Sequence, residues 1–390
     1  MAYYFLFPED DTTIYSHPNR VKLNTGHDEI LEIVKEKGKT NQRYYPSRVL
    51  IKFKNEEIKD VISSKIGSNI FNNGTSTVNL ELFSAEHKNL AKTLNIDLFA
   101  VSQSWNEGTG RYTNMHTSSN GATWVYKDND ITKTEWLTSN FAIATTGSIN
   151  ISNTGNLIRA GGGVWYTGSA FNATQQFLEG EDLDVNLDVT TIVQKFSASL
   201  FANESYPTGI YNNGFIIKQP DVIEVNTSSS FGEMQYFSSN THTIYPPKLT
   251  FRWDDSNHTI VNSTKILSSG DIFLSLYNNK AVFQRKSKQR FRLTVRKRYP
   301  DRTFTTTSNY LDIKYLPQTS YYSLRDGETD EVIIPFDTSF TKLSTDSEGM
   351  YFDLHMEGLQ PERYYKLMFR SDNDDGIQIF DEDYIFKVVR

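Results

Sequence analysis

Apolar and polar residues alternate along most of this chain with the period of two that a half-buried strand requires. In Ser47-Arg48-Val49-Leu50-Ile51-Lys52-Phe53, Val49, Ile51 and Phe53 fall on one face and Arg48 and Lys52 on the other, which predicts a strand buried on one side only. Leu183 to Thr190 alternates strictly, Leu and Val against Asp and Asn, and Thr77 to Phe83 and Leu94 to Val101 follow the same rule. Strands are also expected at Thr12 to Ser16 and Glu29 to Val34, on either side of a turn at His17-Pro18-Asn19, and at Gly214 to Lys218 and Leu249 to Trp253. Helical spacing is scarce. Ile58, Val61, Ile62 and Ile66 recur at three and four, with Asn55 in a capping position and Gly67 as a stop, so one short helix is expected there. Thr190 to Phe196 suits one further helical turn. The pattern predicts an all-β protein.

Composition agrees and adds limits. Aromatic residues make up 13% of the chain and Tyr and Phe dominate them, the usage of β-sheet proteins. A length of 390 residues suits two main domains, each with its own core. There is no cysteine, which excludes disulfides, thiolate metal sites and cysteine nucleophiles. The net charge of −7 opposes a protein that coats nucleic acid, so nucleic acid is an unlikely partner. No apolar run approaches the ~18 residues of a membrane span, and no membrane association is expected. Met1-Ala2-Tyr3-Tyr4-Phe5-Leu6-Phe7 has no basic leader and acids follow it at once, so no signal peptide is expected.

One stretch is chemically dense. Ser104-Trp105-Asn106-Glu107-Gly108-Thr109-Gly110-Arg111 follows the 94–101 strand, and its two glycines let the backbone turn back so that Glu107 and Arg111 can flank the Trp105 indole. Trp105, Glu107, Gly108, Gly110 and Arg111 are therefore expected to form a structural anchor, with Trp105 largely buried. Further on, Gly161-Gly162-Gly163 marks a close backbone approach or a bulge, or else a flexible loop tip.

Catalytic and metal chemistry find little footing. The seven histidines are scattered without ligand spacing, and no nucleophile elbow or phosphate loop occurs. Neither an enzyme nor a cofactor is expected. Asp372-Asn373-Asp374-Asp375-Gly376, with Asp381, Glu382 and Asp383, invites calcium, but its glycine is out of step with an EF-hand and a hairpin turn on Asp375-Gly376 fits better. From Arg285 to Arg302 basic residues dominate. Alternation turns Phe291, Leu293 and Val295 inward and Arg290, Arg292 and Arg296 outward, which reads either as a charged face blunting a strand edge or as a surface that docks an acidic neighbouring subunit, and the density of one sign favours docking.

Several motifs in order resemble the DNRLRE-type β-sandwich domain, a jelly-roll module with carbohydrate-binding relatives. They are Asp11-Thr12-Thr13-Ile14-Tyr15 with Asn24-Thr25-Gly26, Ser47 to Phe53, Trp105-Asn106-Glu107-Gly108-Thr109-Gly110, Gly121-Ala122-Thr123-Trp124, Leu187-Asp188-Val189-Thr190, Asn213-Gly214-Phe215 and Pro247-Lys248-Leu249. The form of residues 11–16 and 24–33 is similar to virion structural proteins of tailed marine bacteriophages. The resemblance implies a virion component, in the neck, tail, fibre or capsid periphery, with other virion proteins as partners, homo-oligomeric in the particle and assembled in the host cytoplasm. The alternative it implies is a carbohydrate-binding module for host-surface glycans, which would expose two or more of the Trp105, Trp124, Trp136 and Trp165 rings on one face. In the C-terminal third, Leu359, Pro361 and Tyr365 are spaced as in the tyrosine corner of immunoglobulin and fibronectin type III sandwiches, which makes Tyr365 a further anchor. The expected architecture is a jelly-roll-like β-sandwich over residues 1–254, connecting strands with the basic segment over 255–305, and an immunoglobulin-like β-sandwich over 306–390.

Overall fold

The computed structural model describes residues 2–40, 42–67, 71, 74–113, 120–130, 132–136, 161–200, 209–226, 228–230, 232–260, 263–277, 279–299 and 312–390, without the side chains of residues 198 and 199. Strands account for 46% of the chain and helical turns for 10%, and the sheets are antiparallel almost throughout, so the protein is an all-β sandwich fold. The chain divides into two compact units. One holds residues 6–72 and 77–250, the other residues 251–390 together with 1–5 and 73–76.

In the first unit the largest sheet runs, in hydrogen-bonded order, Asn172–Leu178, Thr93–Ala100, Phe215–Lys218, Tyr44–Lys52 and Asp10–Tyr15, with Lys35–Lys37 also on Tyr44–Lys52. Glu233–Phe237 lies between Ile30–Ile33 and Ser84–Lys88 in a second sheet, and Val185–Asp188 pairs with Ser76–Leu82. Neighbouring strands are mostly distant in sequence, and their pairing brings quoted motifs together: Asp11 to Tyr15 lies against Ser47 to Ile51, and Phe215 against Ile51.

Three local expectations change. Tyr44–Lys52 is buried from Tyr45 through Ile51, so Arg48 does not face water; a central strand covered on both faces has no solvent side. The helix at Asn55–Asp60 continues as a π-helical segment, Val61–Ile66, and Ile58, Val61, Ile62 and Ile66 are its buried residues. Lys54 rather than Asn55 holds the capping position, and the Asn55 side chain instead accepts a hydrogen bond from Asn212 Nδ2 at 2.9 Å. The single turn expected after Thr190 is a three-turn helix, Thr190–Leu200, because Leu200 repeats the helical spacing of Ile192, Val193 and Phe196.

In the second unit one sheet has the order Ile272–Tyr277, Lys288–Lys297, Gly349–His355, Ser344–Asp346, and the other Val282–Gln284, Gly376–Val389, Tyr364–Asn373, Ser320–Asp326, Val332–Ile334. This is the strand order of immunoglobulin-like sandwiches, with a short strand, Val282–Gln284, parallel to the last one. Aromatic rings fill the interior: Phe352 stacks on Phe291 at 5.2 Å and on Tyr322 at 4.4 Å. Ile272–Tyr277 and Lys288–Lys297 are thus integral strands of this sandwich rather than connecting strands, because their inward faces (Leu274, Phe291, Leu293, Val295) are core. Tyr365 is buried and its hydroxyl donates to the Gln360 carbonyl at 2.8 Å, tying the preceding loop to its strand. Asn373 pairs with Gly376 across a two-residue hairpin turn at Asp374-Asp375, whose carboxylates accept hydrogen bonds from Ser268 Oγ and the Gly270 N–H.

Candidate functional site

The dense stretch around Trp105 folds around a residue that the spacing did not single out, Asn24. Its side-chain amide donates to the carbonyls of Glu107 (2.5 Å) and Ala122 (2.8 Å), while its Oδ1 accepts from the N–H groups of Gly26 (3.2 Å) and Gly110 (2.9 Å). One buried amide therefore satisfies backbone groups of three separate loops, a bridging use for which Asn is suited by having both donor and acceptor. The loops approach too closely for side chains. A Cβ on Gly108 would lie 2.5 Å from Asn24 Oδ1 and 2.7 Å from the Gly121 Cα, and both glycines have positive φ (+82° and +80°). Thr25 completes the junction by exchanging hydrogen bonds with the Thr13 backbone, Thr13 N–H to Oγ1 at 3.1 Å and Oγ1 to the Thr13 carbonyl at 2.8 Å.

Trp105 is buried beside this junction, 4% exposed, and its Nε1 donates to the Asn213 carbonyl at 2.8 Å. Glu107 does not turn toward Arg111. Its Oε1 accepts the backbone N–H of Asp11 at 3.1 Å, while Arg111 is exposed and its charge is felt at Asp28. The reason is the Gly26, Gly108 and Gly121 packing, which carries the Glu107 side chain inward past Gly26. Asp11, on the Asp10–Tyr15 strand, is itself buried; its Oδ2 accepts from the Ser239 N–H at 2.6 Å, whereas its Oδ1 has no hydrogen-bond partner. Burial pushes the Asp11 carboxyl up to about 7, against the hydrogen bond from Ser239. Burial, then the charges of Asp11, Asp10 and Glu9, push Glu107 up to about 8.

A second buried polar group lies in the same unit. Arg48 pairs with Glu224 through two parallel bonds, Nε to Oε1 at 3.0 Å and a terminal nitrogen to Oε2 at 2.7 Å, and its other terminal nitrogen donates to the Gly162 carbonyl at 2.6 Å. The guanidinium also lies 4.6 Å from the Trp124 ring and 5.1 Å from the Trp165 ring. Lys218, equally buried, donates to Asp221 at 2.5 Å and reaches Glu224 at 3.3 Å. Burial opposes charge on Glu224, but Arg48 and Lys218 hold its carboxyl below the ordinary value. The triple glycine explains its own presence here: a Cβ on Gly162 would lie 2.6 Å from the Trp124 ring and 2.7 Å from Arg48, so it is a close approach rather than a loop tip. The available signal was Arg48 itself, a cation followed at once by Val49-Leu50-Ile51, a run apolar on both faces.

The basic strand is also more self-contained than its spacing suggests. Arg290 makes a bidentate pair with Asp353 (2.8 and 3.0 Å), which Lys288 joins at 3.2 Å, and Arg292 makes one with Asp346 (3.0 and 2.9 Å) and reaches Glu348 at 2.9 Å. Arg296 lies over the Phe273 ring at 4.6 Å. Lys288–Lys297 is an inner strand between Ile272–Tyr277 and Gly349–His355, so it is no sheet edge, and the acids that answer Arg290 and Arg292 come from residues 63 and 54 positions later, beyond the reach of local pattern. Arg302, the end of the basic segment, lies outside the described residues.

No protein-family model and no curated protein matches this chain. What the fold and the junction define is a class: an all-β protein of two sandwich units, whose most chemically distinctive residues are spent on holding loops together.

Proposed function

We propose that the protein is a non-enzymatic structural component of a tailed-phage particle, acting through protein–protein contacts. The observation that carries this reading is the burial of Trp105, Trp124, Trp136 and Trp165, exposed by 4%, 0%, 1% and 2%. They share one core cluster with Ile14, Leu50, Val101 and Ile216, so these rings brace the fold instead of presenting a stacking platform for sugars. The resemblance of residues 11–16 and 24–33 to virion proteins supplies the particle. A domain braced by internal hydrogen bonds and packing, in a chain without cysteine, suits a component that must stay rigid among neighbours.

Mass spectrometry of purified particles tests this. The chain is expected in particles at a fixed ratio to the major capsid protein. Its absence from washed particles, or retention of the purified protein on host glycans with micromolar affinity, would move the reading to the adhesion module.

A further inference from the structure

The strand Gly376–Val389 of the second unit is covered unevenly on its two edges. On one edge it pairs with Tyr364–Asn373 along its length, with a bulge where Asp381, Glu382 and Asp383 stand between the pairs Phe369↔Phe380 and Leu367↔Tyr384. On the other edge, Val282–Gln284 pairs with Lys387 to Val389, and the Asn279 side chain reaches the Ile385 carbonyl. From Gly376 to Phe380 that second edge has no strand beside it among the described residues. Asn373 and Gly376 close the hairpin, so the alternation of an antiparallel pair turns the N–H and C=O groups of Ile377 and Ile379 toward the open edge. The far end keeps the same parity, since the Lys387 N–H donates outward, to the Ala281 carbonyl at 2.8 Å. The side chains of Ile377 and Ile379 are open as well, 65% and 55% exposed. An edge with free backbone groups and exposed β-branched side chains is a template for one more strand.

We propose that this edge takes up one extended, basic segment of a partner protein, which adds to the sheet as a further strand beside residues 376–380. Charge selects the partner. Asp374 and Asp375 at one end of the open run, and Asp381, Glu382 and Asp383 at the other, bring five carboxylates together, and one lysine, Lys366, pairs with two of them, Asp381 at 2.8 Å and Asp383 at 3.0 Å. The carboxylates of Asp374 and Asp375 accept from uncharged donors, the Ser268 hydroxyl and the Gly270 N–H, so their charge stands. A second copy of the chain fits poorly: antiparallel self-pairing centred on Gln378 or Ile379 sets Asp375 opposite Asp381 or Asp383, and like charges directly opposite each other destabilise a strand pair. Lysines or arginines at both ends of a short strand answer the acids instead, while its alternate side chains lie against Ile377 and Ile379. Val282–Gln284 already fills the other half of this edge, so the partner strand continues the sheet where the chain's own strand stops. The inference deepens the reading of the protein as one that acts through protein contacts, by naming the chemistry of one such contact.

The test uses the purified full chain and, as probe, a fluorescein-labelled peptide in which alternating threonine and valine stand between two pairs of lysines. The same peptide with glutamate for lysine, and another with proline for threonine, are the controls. The lysine peptide should bind saturably in fluorescence anisotropy, more weakly as salt rises, and should slow amide hydrogen exchange at Ile377 and Ile379 at least about tenfold, while both controls stay free. Ile379→Pro removes an outward N–H and no bond to Tyr364–Asn373, at a position where an edge strand tolerates proline, and should weaken the lysine peptide about three- to tenfold. Glu382→Lys leaves the backbone edge untouched and should weaken the same peptide about threefold or more through charge alone. Exchange in the parent chain decides even where a variant does not fold. Binding of either control peptide, exchange at Ile377 and Ile379 that the lysine peptide does not slow, or dimerisation of the chain alone through this strand overturns the proposal. None of these outcomes bears on whether the chain is present in particles, which mass spectrometry decides separately.

Discussion

Arg48 and Glu224 are 176 positions apart in sequence and meet side by side as a bidentate ion pair with neither side chain exposed at all. A pair so deep is held by geometry: Trp124 and Trp165 flank the guanidinium, and the Gly162 carbonyl takes a third donor. Lys218 shares the same carboxylate, so one anion serves two buried cations. The two partners should therefore differ under mutation.

Glu224→Gln leaves the buried Arg48 without its anion and Lys218 with Asp221 alone, and should cost roughly 3–5 kcal/mol. Arg48→Met removes a charge but leaves Glu224 with Lys218, so it should cost clearly less. Urea denaturation of both variants checks the order; an equal loss would mean that Lys218 does not share the carboxylate.

Trp105 fills the space between the Asn24 junction and the core, and its indole N–H is satisfied by Asn213. Trp105→Ala should destabilise the first unit by about 3–5 kcal/mol, as deletion of large buried aromatics does. Calorimetry should show the loss in one transition while the transition of the 251–390 unit stays in place.

Gly121 sits at φ +80°, and a Cβ there would lie 2.6 Å from the Glu107 carbonyl oxygen and closer still to the Gly108 Cα. Gly121→Ala should cost more than about 1 kcal/mol through backbone strain alone, with the clash against the facing loop added. Gly180→Ala, in the same unit and also at positive φ but with open space around it, is the matched control and should show the strain without the clash. The difference between the two melting temperatures measures the close approach.

The sign of the pH dependence follows from the raised carboxyls. Folded Asp11 titrates at about 7 and Glu107 at about 8, against ordinary values of 3.8 and 4.5, so between those limits the folded chain binds more protons than the unfolded one. Their contribution to stability is full below pH 4 and is lost as pH rises through about 7 to 8. Stability should accordingly fall between about pH 5 and pH 8, and Asp11→Asn, which keeps an acceptor for the Ser239 N–H, should flatten that fall. Denaturant midpoints across this range are the measurement, and a parent chain whose stability is level there contradicts the assignment.

For the basic strand, the in-chain partners change the expected phenotype. Burial opposes charge on Asp353, but the hydrogen bond from Arg290 holds its carboxyl below the ordinary value, and the hydrogen bond from Arg292 does the same for Asp346. Replacing Arg290, Arg292 and Arg296 together by Gln should lower stability by about 1–2 kcal/mol, the worth of two exposed bidentate pairs, and salt should weaken the parent to a similar degree. Loss of particle incorporation without any loss of Tm would instead favour the docking surface.

Strand alternation at Leu94 to Val101, Leu183 to Asp188 and Gln289 to Val295 was enough to determine an all-β chain, because which side of a strand meets the core is a local property with a fixed period. The spacing of Leu359, Pro361 and Tyr365 likewise carried a five-residue relationship, Tyr365 to Gln360, within its own reach. What lay beyond the sequence were the partners of charged and polar side chains. Arg48 has the same alternation as an exposed residue and became buried only because Trp124, Trp165 and Gly162 cover its face of the strand and Glu224 arrives from 176 residues away. Asn24 looked like one letter of a motif, yet the tertiary fold made it the donor and acceptor for three loops. Glu107 was read with Arg111, four residues on, and the glycine packing turned it to Asp11 instead. Periodicity decides burial of apolar faces because every apolar side chain has the same preference, whereas a charge or an amide is satisfied by one partner in one geometry, and only the assembled sheets and loops determine which one it meets.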